Sequence, residues 1–317
     1  MRPFLKRLVV LALLFWLVNS AAALLLRQRI PLNLHDKHHW IMAHRGESYG
    51  VAVLGSSRAL NNTDAVTLQS ILKKDVINLG AGGSNAADQY LILHQFLQHN
   101  RAELVALQVD YLSLTNYFTY GFRDYIWYCY QQNPEVRRVL RAERGELLTR
   151  VWDLAPFVPL MQFGSQYRYF LTESPPQRTA WDVSLGSQLI DTGAGEDLQY
   201  VPYREDSASV SYLRCIADLC RRRDVGLLLF QSPLPTGIDA LTDRRAADLA
   251  LLRLSQDLQV PFLDSGRYFD ERPLLFCDRH HLNREGAFEF SRHLAEQLQT
   301  VSVDSSPRNL ESGTVNR

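Results

Sequence analysis

The chain has 317 residues, 46% hydrophobic and 21% charged, an ordinary globular composition with material for a sizeable core. Lysine plus arginine and aspartate plus glutamate both number 34, so the formal net charge is zero. With no basic stripe along the chain, there is no electrostatic footprint for nucleic acid, and no such partner is expected.

The first informative segment is residues 8–26, a run of 19 in which only Asn19 and Ser20 are clearly polar. As a helix it spans about 28 Å, close to the hydrocarbon thickness of a bilayer. Arg2, Lys6, Arg7 and the free amine precede it, and Arg27 and Arg29 follow. The positive-inside bias therefore favours a cytoplasmic N-terminus with the rest of the chain outside. A cleaved signal peptide competes, with residues 8–18 as its apolar region and residues 21–23 as small residues for cleavage. The further apolar run 24–26 favours the anchor. Residues 1–27 are thus expected to be a cytoplasmic N-terminus and transmembrane anchor, and residues 28–50 a juxtamembrane linker.

From residue 51 to 299, apolar runs of strand length alternate with amphipathic helical stretches, the pattern of a parallel sheet with helices on its faces. Residues 51–54 are the first strand. Gly55-Ser56-Ser57-Arg58 follows at once and puts a serine at the strand's carboxyl end, where open α/β sheets bind ligands. The same tetrapeptide is also ordinary turn chemistry. Strand 76–79 runs into Asn78-Leu79-Gly80-Ala81-Gly82-Gly83-Ser84 and a helix over about residues 85–97, where glycines let backbone N–H groups face a ligand at a helix start. The sixth position from Gly80 is Asn85, so the dinucleotide fingerprint does not fit. An oxyanion-binding turn remains open.

Strand 104–109 ends at Gln108-Val109-Asp110-Tyr111, after which the alternation breaks until about residue 205. With Pro134, Pro156, Pro159, Pro175, Pro176 and Pro202, this stretch reads as an irregular insertion with some helix. Nine of the twenty residues 111–130 are Tyr, Phe or Trp, suited either to a sugar or lipid groove or to a small core of the insertion itself. Strands 225–230 and 260–263 then resume the sheet. The helices beside them bury faces of Val210, Leu213, Ile216, Ala217 and Cys220, and of Ala247, Leu251, Leu254 and Leu258.

The last helix follows Asp278-Arg279-His280-His281-Leu282-Asn283. Asn283 is its expected N-cap, and Ala287, Phe290, Leu294 and Leu298 form its buried side. An aspartate and a histidine three apart in one turn can both reach the sheet's carboxyl edge, the carboxylate fixing the imidazole while its other nitrogen takes a serine proton. A polar capping loop is the plainer reading of those residues. Residues 300–317, rich in Ser, Asp, Pro and Asn, are expected to be a disordered tail.

Cys129, Cys215, Cys220 and Cys277 allow two disulfides in an oxidising compartment, in three connectivities. Cys215 and Cys220 share a helix at a spacing that separates their side chains, and buried free thiols are the expectation. Neither His280-His281 nor His38-His39 has the spacing of a metal site, so no metal is expected, nor any other cofactor. The Gly-x-Ser-x-Gly elbow of α/β-hydrolases is absent.

Together the Ser57 turn, the glycine turn and Asp278-x-x-His281, in this order and spacing, resemble the SGNH (GDSL-type) hydrolase superfamily over about residues 51–298, with the insertion at about 111–205 set aside. The resemblance implies an α/β three-layer sandwich with a five-stranded parallel sheet, flavodoxin-like, here preceded by one transmembrane helix. It implies Ser57 as nucleophile, His281 as general base, Asp278 as the orienting carboxylate, and the Ser57 and Gly83 amides as oxyanion donors. Ser56 replaces the family's usual aspartate. Gly-Ser-Ser with a distant Asp-x-x-His-Leu also looks like the membrane-anchored branch that includes the lipoteichoic acid D-alanylation protein and polysaccharide O-acetyltransferases.

The family's third oxyanion donor, an asparagine, should stand at the end of strand three, where this sequence has Asp110. A carboxylate there would repel a developing oxyanion unless protonated. Slower chemistry is expected, or a replacement donor such as Asn85, Gln108 or Arg58. Arg58, Asn85 and Asp110 are also candidate substrate contacts, with Arg58 equally able to bind an anionic substrate or to pair with a structural carboxylate. The implied activity is an extracytoplasmic serine esterase or O-acyltransferase acting on acyl esters of envelope or exopolysaccharide glycans, alongside a membrane acyltransferase partner. A non-catalytic glycan-binding or assembly subunit with the same fold is the alternative.

Overall fold

The computed structural model describes residues 2–29, 34, 36–115, 124–127, 130–153, 179–191, 203–235 and 243–304. Five strands, β1 (Ser48–Leu54), β2 (Val76–Asn78), β3 (Arg101–Gln108), β4 (Gly226–Gln231) and β5 (Phe262–Asp264), form one sheet in the order β2-β1-β3-β4-β5. Every neighbouring pair is parallel, with Val53 opposite Asn78 on one side and Ala106 on the other. This is the expected five-stranded parallel sheet. β1 and β3 begin at Ser48 and Arg101, ahead of the apolar runs, because their amino ends pair through backbone alone while several side chains there are exposed.

The helices are α1 (Arg2–Arg29), α2 (Lys37–Ala43), α3 (Ser57–Asn62), α4 (Ala65–Leu72), α5 (Ala86–His99), α6 (Asp124–Trp127), α7 (Pro134–Asp153), α8 (Ala180–Val183), α9 (Ser207–Arg222), α10 (Arg244–Leu258) and α11 (Arg284–Asp304). Successive strand residues point to opposite faces, and two cores follow from that alternation. On one face Val51, Val53, Ala106 and Phe230 pack against Ala59, Leu68, Phe290 and Leu294 of α3, α4 and α11. On the other, Ala52, Leu54, Leu107 and Leu229 pack against α2, α5, α7, α9 and α10 through Ile41, Leu91, Val139, Ile216 and Leu251.

The helix faces read from the sequence are the buried ones, with Val210 only partly covered. Asn283 caps α11, its Oδ1 accepting from Gly286 N at 3.0 Å. That helix runs to Asp304, into the segment expected as tail, and residues 305–317 lie outside the described residues.

The linker expectation needs correction. Within residues 28–50 the chain forms α2 and opens β1. His38, His39, Trp40, Ile41 and Met42 are buried, so the domain's core begins at Lys37. The reason is local: Asp36 Oδ1 accepts from His38 N at 2.9 Å and starts the helix, and its apolar side closes one end of the core.

In the insertion, α6, α7 and α8 are described, and a bridge between Thr115 and Glu205 closes its base. Of its aromatic cluster, Tyr111 and Trp127 are buried, with Trp127 Nε1 donating to Asp88 Oδ1 at 2.7 Å. Residues 117, 118, 120, 122 and 128 lie outside the described residues. Cys215, Cys220 and Cys277 are free thiols, and Cys129 lies outside the described residues. Within α1, Pro3–Leu26 has the length to cross a bilayer and contains an 18-residue window of mean hydropathy 2.4. Asn19, Ala23 and Leu26, on one face of it, are buried.

Candidate active site

In a sheet of this order the direction of winding reverses between β1 and β3, leaving a crevice at their carboxyl ends. Gly55 turns the chain there at φ +152°, and a β-carbon on it would lie 2.8 Å from Ala59 Cβ and 2.9 Å from Gln108 Cβ, so only glycine fits. Ser57 follows as the first residue of α3. From residue 51 to 65 it alone is not buried. A hydroxyl at the mouth of the crevice, on an otherwise buried segment, is available to a ligand.

The loop before α11 reaches the same place. His281 Nε2 lies 2.9 Å from Ser57 Oγ, and His281 Nδ1 lies 2.7 Å from Asp278 Oδ2. The other carboxylate oxygen, Oδ1, accepts from the backbone N–H groups of His280 at 2.6 Å and His281 at 2.7 Å. Burial pushes the Asp278 carboxyl up, but the hydrogen bonds from His281 and the His280 backbone outweigh it and bring it down to about 2. Asp278 is therefore an anion at neutral pH, and a carboxylate bonded to Nδ1 leaves Nε2 free to accept a proton from Ser57.

Neighbouring groups are held out of that role. Burial and then the Arg58 guanidinium lower His280 to about 4, so its imidazole is neutral. Burial and then Asp278 push the Cys277 thiol up to about 11, which keeps it protonated and a poor nucleophile. Among the described residues no three His, Cys, Asp or Glu side chains converge to hold a metal.

The glycine turn stands opposite Ser57. Ala81 N donates to Gly55 O at 3.1 Å, and Gly83 takes φ +71°. A β-carbon on Gly82 would lie 4.0 Å from Ser57 Cβ. A side chain at position 82 would thus abut Ser57, a proximity that the sequence reading, centred on Gly83, did not identify. Among the described residues no acceptor engages the Gly83 N–H, and Ser57 N–H sits in the open first turn of α3. Asn85 caps α5 with its Oδ1, which accepts from Asp88 N at 2.9 Å. Its amide nitrogen has no partner among the described residues.

Arg58 and Asp110, expected as candidate substrate contacts, are instead engaged with each other. Arg58 is 1% exposed and Asp110 likewise 1%. Arg58 Nη1 donates to Asp110 Oδ2 at 2.8 Å, and Nη2 donates to the carbonyls of Ser232 at 2.7 Å and Pro233 at 2.9 Å. Asp110 also accepts from Gln108 Nε2 at 3.0 Å and Leu112 N at 2.8 Å. Burial would raise its carboxyl, but Arg58 and Gln108 hold it below the ordinary range. A buried charge needs a partner and hydrogen bonds, and here the two side chains tie the ends of β1, β3 and β4 together. Gln108 and Arg58 are correspondingly poor replacement oxyanion donors, which leaves Asn85 of the three.

Asn62 was missed in the sequence. Fully buried at the end of α3, it accepts from Leu282 N at 2.9 Å and donates to Ser232 Oγ at 3.2 Å and His280 O at 3.3 Å. It fastens the His281 loop to the helix that carries Ser57. No local signal was available, since Asn61-Asn62-Thr63-Asp64 reads as an ordinary polar turn.

No family model matches the chain, and no curated protein matches it. Solved structures similar to it include one described as a lipolytic protein of the G-D-S-L family from Desulfitobacterium hafniense DCB-2. The identity is 10%, with 78% of this chain and 97% of that one covered and a TM-score of 0.40. An acylhydrolase from Bacteroides fragilis NCTC 9343 is similar at 11% identity, over 78% and 86% of the two chains, with a TM-score of 0.36. A GDSL-like lipase from Bacteroides thetaiotaomicron VPI-5482 is similar at 10% identity, over 78% and 88%, with a TM-score of 0.33.

Proposed function

We propose that this chain is a serine esterase or O-acyltransferase, anchored in the cytoplasmic membrane by α1 with its α/β domain outside, which is the periplasm if the cell is Gram-negative. Its substrates in this reading are acyl esters of envelope or exopolysaccharide glycans. The observation that carries the reading is the continuous hydrogen-bond chain from Ser57 through His281 to Asp278 at the crevice mouth.

In the first half-reaction, Ser57 Oγ attacks the ester carbonyl carbon while His281 Nε2 takes the hydroxyl proton, and Asp278 stabilises the imidazolium that forms. The carbonyl oxygen, now an oxyanion, accepts from the Ser57 and Gly83 N–H groups, with the Asn85 amide as the third donor. Collapse breaks the bond to the leaving oxygen, which takes the proton from His281, and the acyl group stays on Ser57. Water or an acceptor hydroxyl, deprotonated by His281, then attacks the acyl-serine and releases the acid or the new ester. Activated acyl donors of the cytosol do not reach a domain outside the membrane, which favours a membrane acyltransferase partner as the supplier.

Asp110 in place of an oxyanion asparagine favours one other reading, a glycan-binding or assembly subunit without turnover. Hydrolysis of p-nitrophenyl acetate and of O-acetylated glycans by the purified full chain, compared with Ser57→Ala, separates the two. The esterase reading requires loss of turnover in Ser57→Ala of about 10⁴-fold or more. Glycan binding unaffected by Ser57→Ala, with no turnover by the wild type, would select the binding subunit.

A further inference from the structure

We infer that the carboxyl edge of the sheet, with the Ser57 crevice, rests on the lipid bilayer surface from which α1 emerges, so that the site takes acyl esters presented at that surface. The inference deepens the proposed function and rests on its reading of α1 as a membrane anchor.

The path of the chain carries it. Lys37, the first residue of α2, is buried, and its Nζ donates to Asn78 O and Gly186 O at 2.6 Å each while lying 4.3 Å over the Trp40 ring. Asn78 is the last residue of β2, so α2 starts at the carboxyl end of the sheet. The helix ends at the opposite edge. His44 O accepts from Asn100 Nδ2 at 2.9 Å, and Gly46 N donates to His99 O at 2.9 Å, immediately before β3 begins at Arg101. Thus α2 runs antiparallel to the strands, and the chain enters the domain from the catalytic side.

Only residues 30–36 separate the last residue of α1 from the first of α2. Seven residues reach at most about 25 Å, so facing the bilayer with the amino edge, roughly 20 Å away along β1, would take an almost fully extended segment, whereas the carboxyl edge is reached without such extension. A second observation lies on the same edge. Leu274 is 89% exposed, and its carbonyl accepts from Asn283 Nδ2 at 2.7 Å, at the base of the His281 loop. A large apolar side chain exposed beside the amino end of α11, on that edge, is suited to the interfacial region of a bilayer.

The test uses the full chain in phosphatidylcholine nanodiscs with and without a nitroxide-headgroup lipid. A fluorescent amino acid is placed at position 274 and, in a separate protein, at position 74. Lys74 is exposed and marks the opposite edge, beside Gly50 and Glu103. The inference expects clear nitroxide quenching at position 274 and little at position 74. Equal quenching at the two positions, or stronger quenching at 74, would overturn it, as would recovery of a chain processed free of α1. Quenching needs no turnover, so failure of the esterase reading would appear separately, as an inactive protein whose position 274 is still quenched.

Discussion

Two loops at the carboxyl edge of the sheet hold polar residues of opposite fate. After β1, Ser57 is half-exposed and its hydroxyl faces an imidazole whose far nitrogen is held by a carboxylate. After β3, Asp110 is buried and its oxygens accept from Arg58, Gln108, Leu112 and Ser113. Both loops sit where ligands bind in such folds, yet only the first retains a group free to react. Position in a fold thus nominates a residue, and the hydrogen bonds it has already made decide whether it can do chemistry.

The largest effect that would sharpen this contrast is on the first loop. Asp278→Asn keeps the side chain's shape but offers His281 Nδ1 the wrong partner, and should lower kcat about 10⁴-fold in a protein that still folds, with a lower thermal midpoint at neutral pH from the lost charge. Unchanged turnover would remove Asp278 from the mechanism. On the second loop, Arg58→Met leaves Asp110 charged and buried without its partner, and should destabilise the fold by about 3–5 kcal/mol, read from urea unfolding. A variant of full stability that had lost only substrate affinity would make Arg58 a ligand contact after all.

Asn85 stands between these extremes, its oxygen engaged and its nitrogen without a partner among the described residues. Asn85→Asp keeps the α5 cap but removes the amide donor, and should reduce kcat by about 100-fold to 1000-fold with little change in stability. Wild-type turnover in that variant would leave the oxyanion to two backbone donors. The smallest effect is on acid stability. The Asp278 carboxyl lies at about 2 in the folded chain against an ordinary 3.8. A depressed carboxyl stabilises the fold above its unfolded value and loses that contribution as the pH falls through the folded one. Acid titration of Asp278→Asn should therefore show a shallower loss of stability than wild type between 3.8 and about 2, and identical slopes would contradict the assigned bonds.

Much of the fold was legible because β2 and the carboxyl halves of β1, β3 and β4 are buried on both faces and read as short apolar runs, and because the helix faces repeat at helical spacing. Ser57, Asp278 and His281 were legible only in combination, through the resemblance of their order and spacing to a known hydrolase pattern, since each motif alone also reads as a turn or a capping loop. Less visible were features that depend on distant partners. Lys37 and Trp40 look like linker residues until Asn78, Gly186 and Asp182 are brought to them. For Arg58 the sequence left a substrate contact and a structural carboxylate partner equally open, and nothing local identifies Asp110, 52 positions away, as that partner. Asn62 is ordinary in sequence and becomes a fastening only when His280 and Leu282, from the other end of the chain, close over it.

The central claim is that Ser57 is an activated nucleophile, and fluorophosphonate labelling of the full chain read by intact mass tests it most directly. The account predicts one stoichiometric adduct on wild type, mapped to Ser57 and absent from Ser57→Ala. No adduct on a folded wild-type protein, or equal labelling of Ser57→Ala, would contradict it.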